Sequence, residues 1–308
     1  MIKPDRLRPA STIGIVSPSY WIDKDTLIKT SEIFKNLNYK LIYGKSIYAK
    51  DGPFAGSPQL RADDIHAMFL DSSVDAILCA RGGYGANKVT PLLDYELIKK
   101  HPKIFMGYSD ITAYLISITK NTELVTFHGP MLSSYKHGFV EYSYNQMINV
   151  LSGNKNINII PQNEIIPHIL KPGNGTGPLW GGNMTLIINR LGTNGQINTK
   201  KTILFLEDVN EYYYSFERMF IHLKEAGAFD HIAGLIIGEL TNMKDEKISF
   251  EKSTDDIVMD ICGSMDFPIV TNFPCGHGTY QATLPISLPA ELQLADRASL
   301  KLLESAVV

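Results

Sequence analysis

Short apolar runs alternate with segments of helical spacing through the first 130 residues. Thr12 to Ser17 is an apolar run that meets Pro18, the pattern of a buried strand. Leu27, Ile28, Ile33, Phe34 and Leu37 fall at helical spacing within residues 24–37. Lys40 to Tyr43 predicts a second strand. Ser57 and Pro58 suit an N-cap and first helical position, and that helix runs to about Asp71. Asp75 to Ala80, Lys103 to Met106 and Leu124 to His128 predict three more strands. Such alternation implies a mostly parallel sheet with helices on both faces. Ligands of such sheets bind beyond the carboxyl ends of the strands. The chemistry is therefore expected just after Ser17, Ala80 and Met106.

The rhythm fades between residues 135 and 175, where Asn, Gly, Pro and Lys accumulate. Lys171 to Pro178, with glycines at 173, 175 and 177, is the densest loop signal. The domains expected are 1–150, a linker at 151–175, and 176–308. The second half restarts with a helix after Gly182 and Asn183, ending at Gly192. A strand at Thr202–Leu206 follows, then a helix with Phe216, Met219, Phe220 and Leu223 on one face. Ile232–Ile237, Ile269–Phe273, Glu291–Ala295 and Leu300–Leu303 predict further strands.

A length of 308 residues favours two domains over one. The formal net charge of −3 argues against a nucleic-acid partner. Cys79, Cys262 and Cys275 are widely spaced, which fits neither a disulfide framework nor a zinc knuckle and suits a reducing cytoplasm. The N-terminus lacks the apolar run of a signal peptide, and no stretch nears the roughly 20 apolar residues of a membrane span. A cytoplasmic protein with no membrane partner is expected.

Five segments have candidate chemistry. Gly107-Tyr108-Ser109-Asp110 follows a strand and opens a helix. A serine at such a turn exposes its hydroxyl beside the first N–H groups of the helix, which can stabilise an oxyanion. The Gly-x-Ser-x-Gly pattern is not met, because Ile111 stands at the second glycine. Taken alone, Ser109 reads more readily as a helix cap than as a nucleophile, since capping serines far outnumber nucleophilic ones. Arg81-Gly82-Gly83-Tyr84-Gly85 follows the third strand, and its glycines let backbone approach a ligand closely. It matches neither a dinucleotide nor a Walker loop, and Gly82 or Gly83 is a candidate second oxyanion donor with the N–H of Asp110. Glu207 and Asp208 end a buried strand, where a carboxylate can orient a histidine or simply be solvated. His277 lies between Gly276 and Gly278 on a loop, mobile and reachable, whereas His222 sits among Phe220, Ile221 and Leu223 and reads as packed. Trp180 and Asn183, on the glycine-rich turn before the next helix, are equally readable as a substrate wall or as helix entry. No close metal-ligand spacing is present, so neither a metal nor another cofactor is expected.

These segments together resemble the LD-carboxypeptidase family, which includes muramoyl-tetrapeptide carboxypeptidases and microcin C immunity peptidases. Thr12 to Ser19, Arg81 to Gly85, Pro102 to Asp110, Gly181 to Asn183, Leu206 to Asp208 and Cys275 to His277 recur in order. The resemblance implies an α/β fold: an N-terminal flavodoxin-like domain with a mostly parallel sheet, and a smaller C-terminal α/β domain with its own small sheet. It implies a Ser–Glu–His triad drawn from both domains, with Ser109 as nucleophile, Glu207 as acid and His277 as base. Glu211, beyond the strand end, is the weaker candidate acid. The implied substrate is a murein tetrapeptide, cleaved at its L,D bond to release D-alanine, and the implied assembly is a homodimer. The glycine loop is closer to the tetrapeptide-cleaving branch, although Lys88 stands where that branch has Arg. A microcin-type peptidase acting on a peptidyl or acyl nucleotide, and a non-catalytic ligand-binding protein, are the alternatives.

Overall fold

The computed structural model describes residues 1–162 and 164–308. The chain forms two compact units. The first holds Met1–Asn154, Ala282–Ile286 and Ser305–Val308, and the second holds Lys155–Gln281 and Ser287–Glu304.

In the first unit the alternating pattern becomes strands β1 (Thr12–Val16), β2 (Lys40–Tyr43), β3 (Ala76–Cys79), β4 (Ile104–Gly107) and β5 (Phe127–His128). Their spatial order is β5-β4-β3-β1-β2, all parallel, with Leu284–Pro285 antiparallel at the β5 edge. This is the flavodoxin-like order. The strands are nearly continuous apolar runs because both faces are covered: Ile15, Val16, Ile77, Cys79 and Phe105 are fully buried. The helix over Pro58–Leu70 starts as its sequence predicts, with the Ser57 hydroxyl accepting from the Leu60 N–H at 3.2 Å.

Side chains buried at the carboxyl edge of this sheet tie its loops together. Arg61, 1% exposed, donates to the carbonyls of Pro18 at 2.9 Å and Gly85 at 3.5 Å. The Asp110 carboxylate accepts from the Ser19 hydroxyl at 2.5 Å and the Ala86 N–H at 3.0 Å. The loops after β1, β3 and β4 are thus joined by charge-assisted hydrogen bonds, which are stronger than neutral ones.

Among the described residues the second unit forms a sheet of eight strands, wider than the small sheet expected. In chain order they are β6 (Asn158–Ile159), β7 (His168–Lys171), β8 (Gly173–Asn183), β9 (Ile203–Val209), β10 (Gly234–Thr241), β11 (Ile269–Gly276) and, after the edge strand β12 (Leu284–Pro285) of the first unit, β13 (Pro289–Leu294) and β14 (Ala298–Leu302). The order is β6-β14-β13-β8-β9-β10-β11-β7. The centre, β8 to β11, is parallel, and antiparallel strands flank it.

From Gly173 onward the loop signal at residues 171–178 belongs to a strand, β8, while Lys171 ends β7. Gly173 has a φ of 142°, but the other two glycines serve close backbone approach: a Cβ on Gly175 would lie 1.9 Å from the Ala233 carbonyl oxygen, and one on Gly177 would lie 2.1 Å from that of Lys201. Backbone obstacles cannot rotate away as side chains do. Gly175→Ala is therefore expected to destabilise the protein by about 3 kcal/mol. The urea midpoint should fall with an unchanged slope; an unaltered midpoint would show that β8 shifts freely. The helix expected to reach Gly192 covers only Met184–Ile188.

Candidate active site

Ser109 has φ of 64°, in the left-handed region that side chains with a Cβ avoid. It begins a short 3-10 turn, Ser109–Ile111, leading into the helix Thr112–Thr122. The residue at the N-cap of that turn is Tyr108, and no side chain caps it. The helix-cap reading of Ser109 therefore fails, and the strained turn calls for another explanation. A Cβ on Gly107 would meet the Ile111 side chain at 2.9 Å. The missing second glycine is thus explained: the bare Gly107 makes room for the buried Ile111.

Gly82 lies against this turn. A Cβ there would fall 2.9 Å from the Ser109 Cβ, 3.0 Å from its Oγ and 3.4 Å from the Asp110 nitrogen. Gly83, with φ of 127°, faces the Tyr20 ring, which a Cβ would approach to 2.4 Å. Of the two candidate oxyanion glycines, Gly82 is the one placed against Ser109. Asp110 is 2% exposed and its carboxylate is occupied by Ser19 and Ala86, so its side chain braces the loops.

In the second unit, Glu207 on β9 is fully buried, and the His277 side chain is 18% exposed. His277 Nδ1 and Glu207 Oε2 are 2.7 Å apart. A carboxylate only accepts, so Nδ1 holds the hydrogen and Nε2 is the basic nitrogen. Burial works against a charged His277 ring, but the Glu207 charge, its hydrogen bond and the Asp208 charge outweigh it, so the pKa is raised. The flanking glycines have a reason other than mobility. Gly276 has φ of 109°, and a Cβ there would meet the Glu207 side chain at 2.7 Å; a Cβ on Gly278 would fall on the Glu239 carboxylate. They let acids close in around the histidine loop.

Glu211 accepts from the Ser215 hydroxyl at 2.8 Å. Asn183 is opposite Glu207 in the β8–β9 ladder, but its amide donates to Asp208 at 3.1 Å and its oxygen accepts from the Leu186 N–H, so it caps the short helix after β8. Trp180 pairs with Leu204, three positions earlier along the same two strands. The structure thus groups Ser109, Asp110 and Gly82 in one unit, and Glu207 and His277 in the other. Glu239, at the end of β10, was missed in the sequence. Its signal was the one that marked Glu207: an acid closing an apolar run.

Among the described residues no His, Cys, Asp and Glu group is arranged to hold a metal ion, and no helix is long and apolar enough to cross a membrane.

The LD-carboxypeptidase N-terminal domain matches residues 13–129, and the LD-carboxypeptidase C-terminal domain matches residues 176–292. A "probable murein peptide carboxypeptidase" of Bacillus subtilis (strain 168) is 33% identical, over 96% of this chain and 93% of its own length. The microcin C7 self-immunity protein of Escherichia coli is 27% identical over 92% of this chain and 90% of its own. The crystal structure of a MccF-like protein from Bacillus anthracis strain Ames superposes with a TM-score of 0.88 at 28% identity, covering 99% of this chain and all of that one. This chain belongs to the LD-carboxypeptidase family, a family of serine carboxypeptidase-type hydrolases.

Proposed function

We propose that the protein is a cytoplasmic serine carboxypeptidase that hydrolyses the L,D bond of a murein tetrapeptide and releases D-alanine during cell-wall recycling. The observation that carries this reading is the 2.7 Å pair of His277 with the fully buried Glu207, which fixes a basic Nε2. The strained turn at Ser109 supports it from the other unit. In the reaction, Ser109 Oγ attacks the scissile carbonyl carbon while its proton passes to His277 Nε2. The N–H groups of Asp110 and Gly82 stabilise the oxyanion; one such donor is worth about 3–4 kcal/mol of barrier. The C–N bond then breaks, the leaving amine takes the proton from His277, and an acyl-serine ester forms. Water, deprotonated by His277, hydrolyses the ester and restores Ser109. Glu207 holds the ring in the productive tautomer throughout. No cofactor takes part, and the working form proposed is a homodimer, the commonest closed assembly.

The relationship to the microcin C7 self-immunity protein favours one second reading, cleavage of a peptidyl or acyl nucleotide. Mass spectrometry of products from the two substrates, incubated side by side with the purified protein, separates the readings. Tripeptide and free D-alanine are expected from the tetrapeptide. Cleavage of the nucleotide conjugate alone would replace the murein reading, and cleavage of neither would leave a binding protein.

A further inference from the structure

Glu239 is anomalous. It lies on β10 opposite Gly276 in β11, one residue before His277, where the β10 register is broken against both β9 and β11. Its carboxylate rests on the backbone of Gly278, since a Cβ added there would fall 1.1 Å from Oε2 and 2.6 Å from Oε1. Oε2 is buried and accepts no hydrogen bond among the described residues. Burial pushes its pKa up to about 7. A carboxylate oxygen withdrawn from water and given no donor disfavours the charged group unless a ligand brings a compensating charge to the carboxylate.

The surroundings define the ligand's charge. Glu207 on β9 lies close by: a Cβ on the intervening Gly238 would be 3.0 Å from the Glu207 Cβ and 2.8 Å from the Cys275 sulfur. Burial raises the Cys275 thiol pKa, and the charges of Glu207 and Glu239 both add to the shift. Two acids therefore bear on one small region next to His277. An anion is repelled there and a cation is favoured. A carboxypeptidase substrate has a carboxylate on the leaving side of the scissile bond, so a cation that suits this region belongs to the acyl side.

We infer that Glu239 forms a subsite for a primary ammonium group on the acyl portion of the substrate, placed beside His277 by the break in β10. This deepens the hydrolase reading and rests on it. The ammonium has two sources in a murein peptide, the side chain of a diamino acid or the free α-amino terminus. The subsite sets which peptides are accepted, and Glu239 takes no part in bond making.

The test is binding by calorimetry on the Ser109→Ala background, where turnover is removed. Three peptides are compared: a tetrapeptide ending in D-alanine with lysine at its third position, its Nε-acetyl form and its Nα-acetyl form. The unmodified peptide is expected to bind at least tenfold more tightly than one of the two acetylated forms, and that form identifies the ammonium. Adding Glu239→Gln, which keeps shape and removes charge, should abolish the preference while leaving affinity for the disfavoured form within about threefold. A preference that survives Glu239→Gln, equal weakening of all three peptides, or no preference on the Ser109→Ala background would each overturn the subsite. Failure of the native protein to release D-alanine would instead count against the reaction and leave the binding comparison decisive for Glu239.

Discussion

Ser109→Ala is expected to lower D-alanine release from murein tetrapeptide by about ten-thousand-fold or more, with the fold intact. The size follows from the chemistry. Without Oγ no acyl-serine ester forms, and only direct attack by water remains, aided by whatever oxyanion stabilisation survives. The intact fold follows from the backbone. Ser109 sits at φ of 64° and its hydroxyl caps no helix N–H, so alanine retains the same Cβ, the same strain and the same close fit to Gly82. The melting temperature should therefore move by no more than about 2 °C, within the range of a substitution that touches none of the usual destabilising mechanisms. Chromatographic measurement of D-alanine, paired with a thermal melt, checks both halves. Release at the native rate from a folded variant would remove Ser109 from the mechanism, and loss of release together with unfolding would leave its chemical role undecided, which is why both are measured.

The strain at Ser109 also relates the sequence to the site. The strand-then-helix pattern around it was legible because β4 is a buried run and the following turn and helix are apolar at Ile111, Tyr114, Leu115 and Ile118. The central strands β1, β3 and β4 were readable for the same reason, because apolar run and burial agree there, whereas the edge strand Leu284–Pro285 comes from a distant part of the chain and left no signal. The second unit was harder to read. Glycines in β8 looked like a loop because a glycine's need for space is indistinguishable, along the sequence, from a need for positive φ. Only the carbonyls of Ala233 and Lys201, brought in from other strands, tell the two apart. The same ambiguity hid the reason for the glycines around His277, which make room for Glu207 and Glu239. The burial of Glu239 has no mark in the local pattern: its Oε2 is withdrawn from water where the β10 register breaks against β9 and β11, which no run of sequence encodes. Asn183 looked as much like a substrate contact as a helix entry, and its hydrogen bonds to Asp208 and the Leu186 N–H decide for the second.

Glu207→Gln is expected to reduce kcat/KM by about a thousand- to ten-thousand-fold and to move the acidic limb of the pH–rate profile to lower pH. The rate loss comes from the tautomer. Gln can turn its amide N–H toward His277 Nδ1, which then accepts, leaving the hydrogen on Nε2 where the proton of Ser109 must arrive. The limb shift comes from the charge. The reaction needs neutral His277, so kcat/KM rises as the ring loses its proton. In the native protein burial opposes protonation, but Glu207 and Asp208 outweigh it and lift the limb above the usual 6.5. With glutamine the main raising charge is gone while burial continues to act. Stability carries the same sign. A raised histidine pKa contributes stability that is fully present below about 6.5 and is lost as pH rises through the folded value. The variant should lack that increment in acid and differ least from the native protein, on this account, in alkali. His277→Ala separates the two contributions. It removes the base altogether, so its rate loss should exceed that of Glu207→Gln, and it withdraws the histidine partner from a fully buried carboxylate, so it should also unfold at lower denaturant. Rate profiles from about pH 5 to 9, with urea melts at each end, check the set; an acidic limb that stays in place in Glu207→Gln would mean that the Glu207 charge is not what governs the protonation of His277.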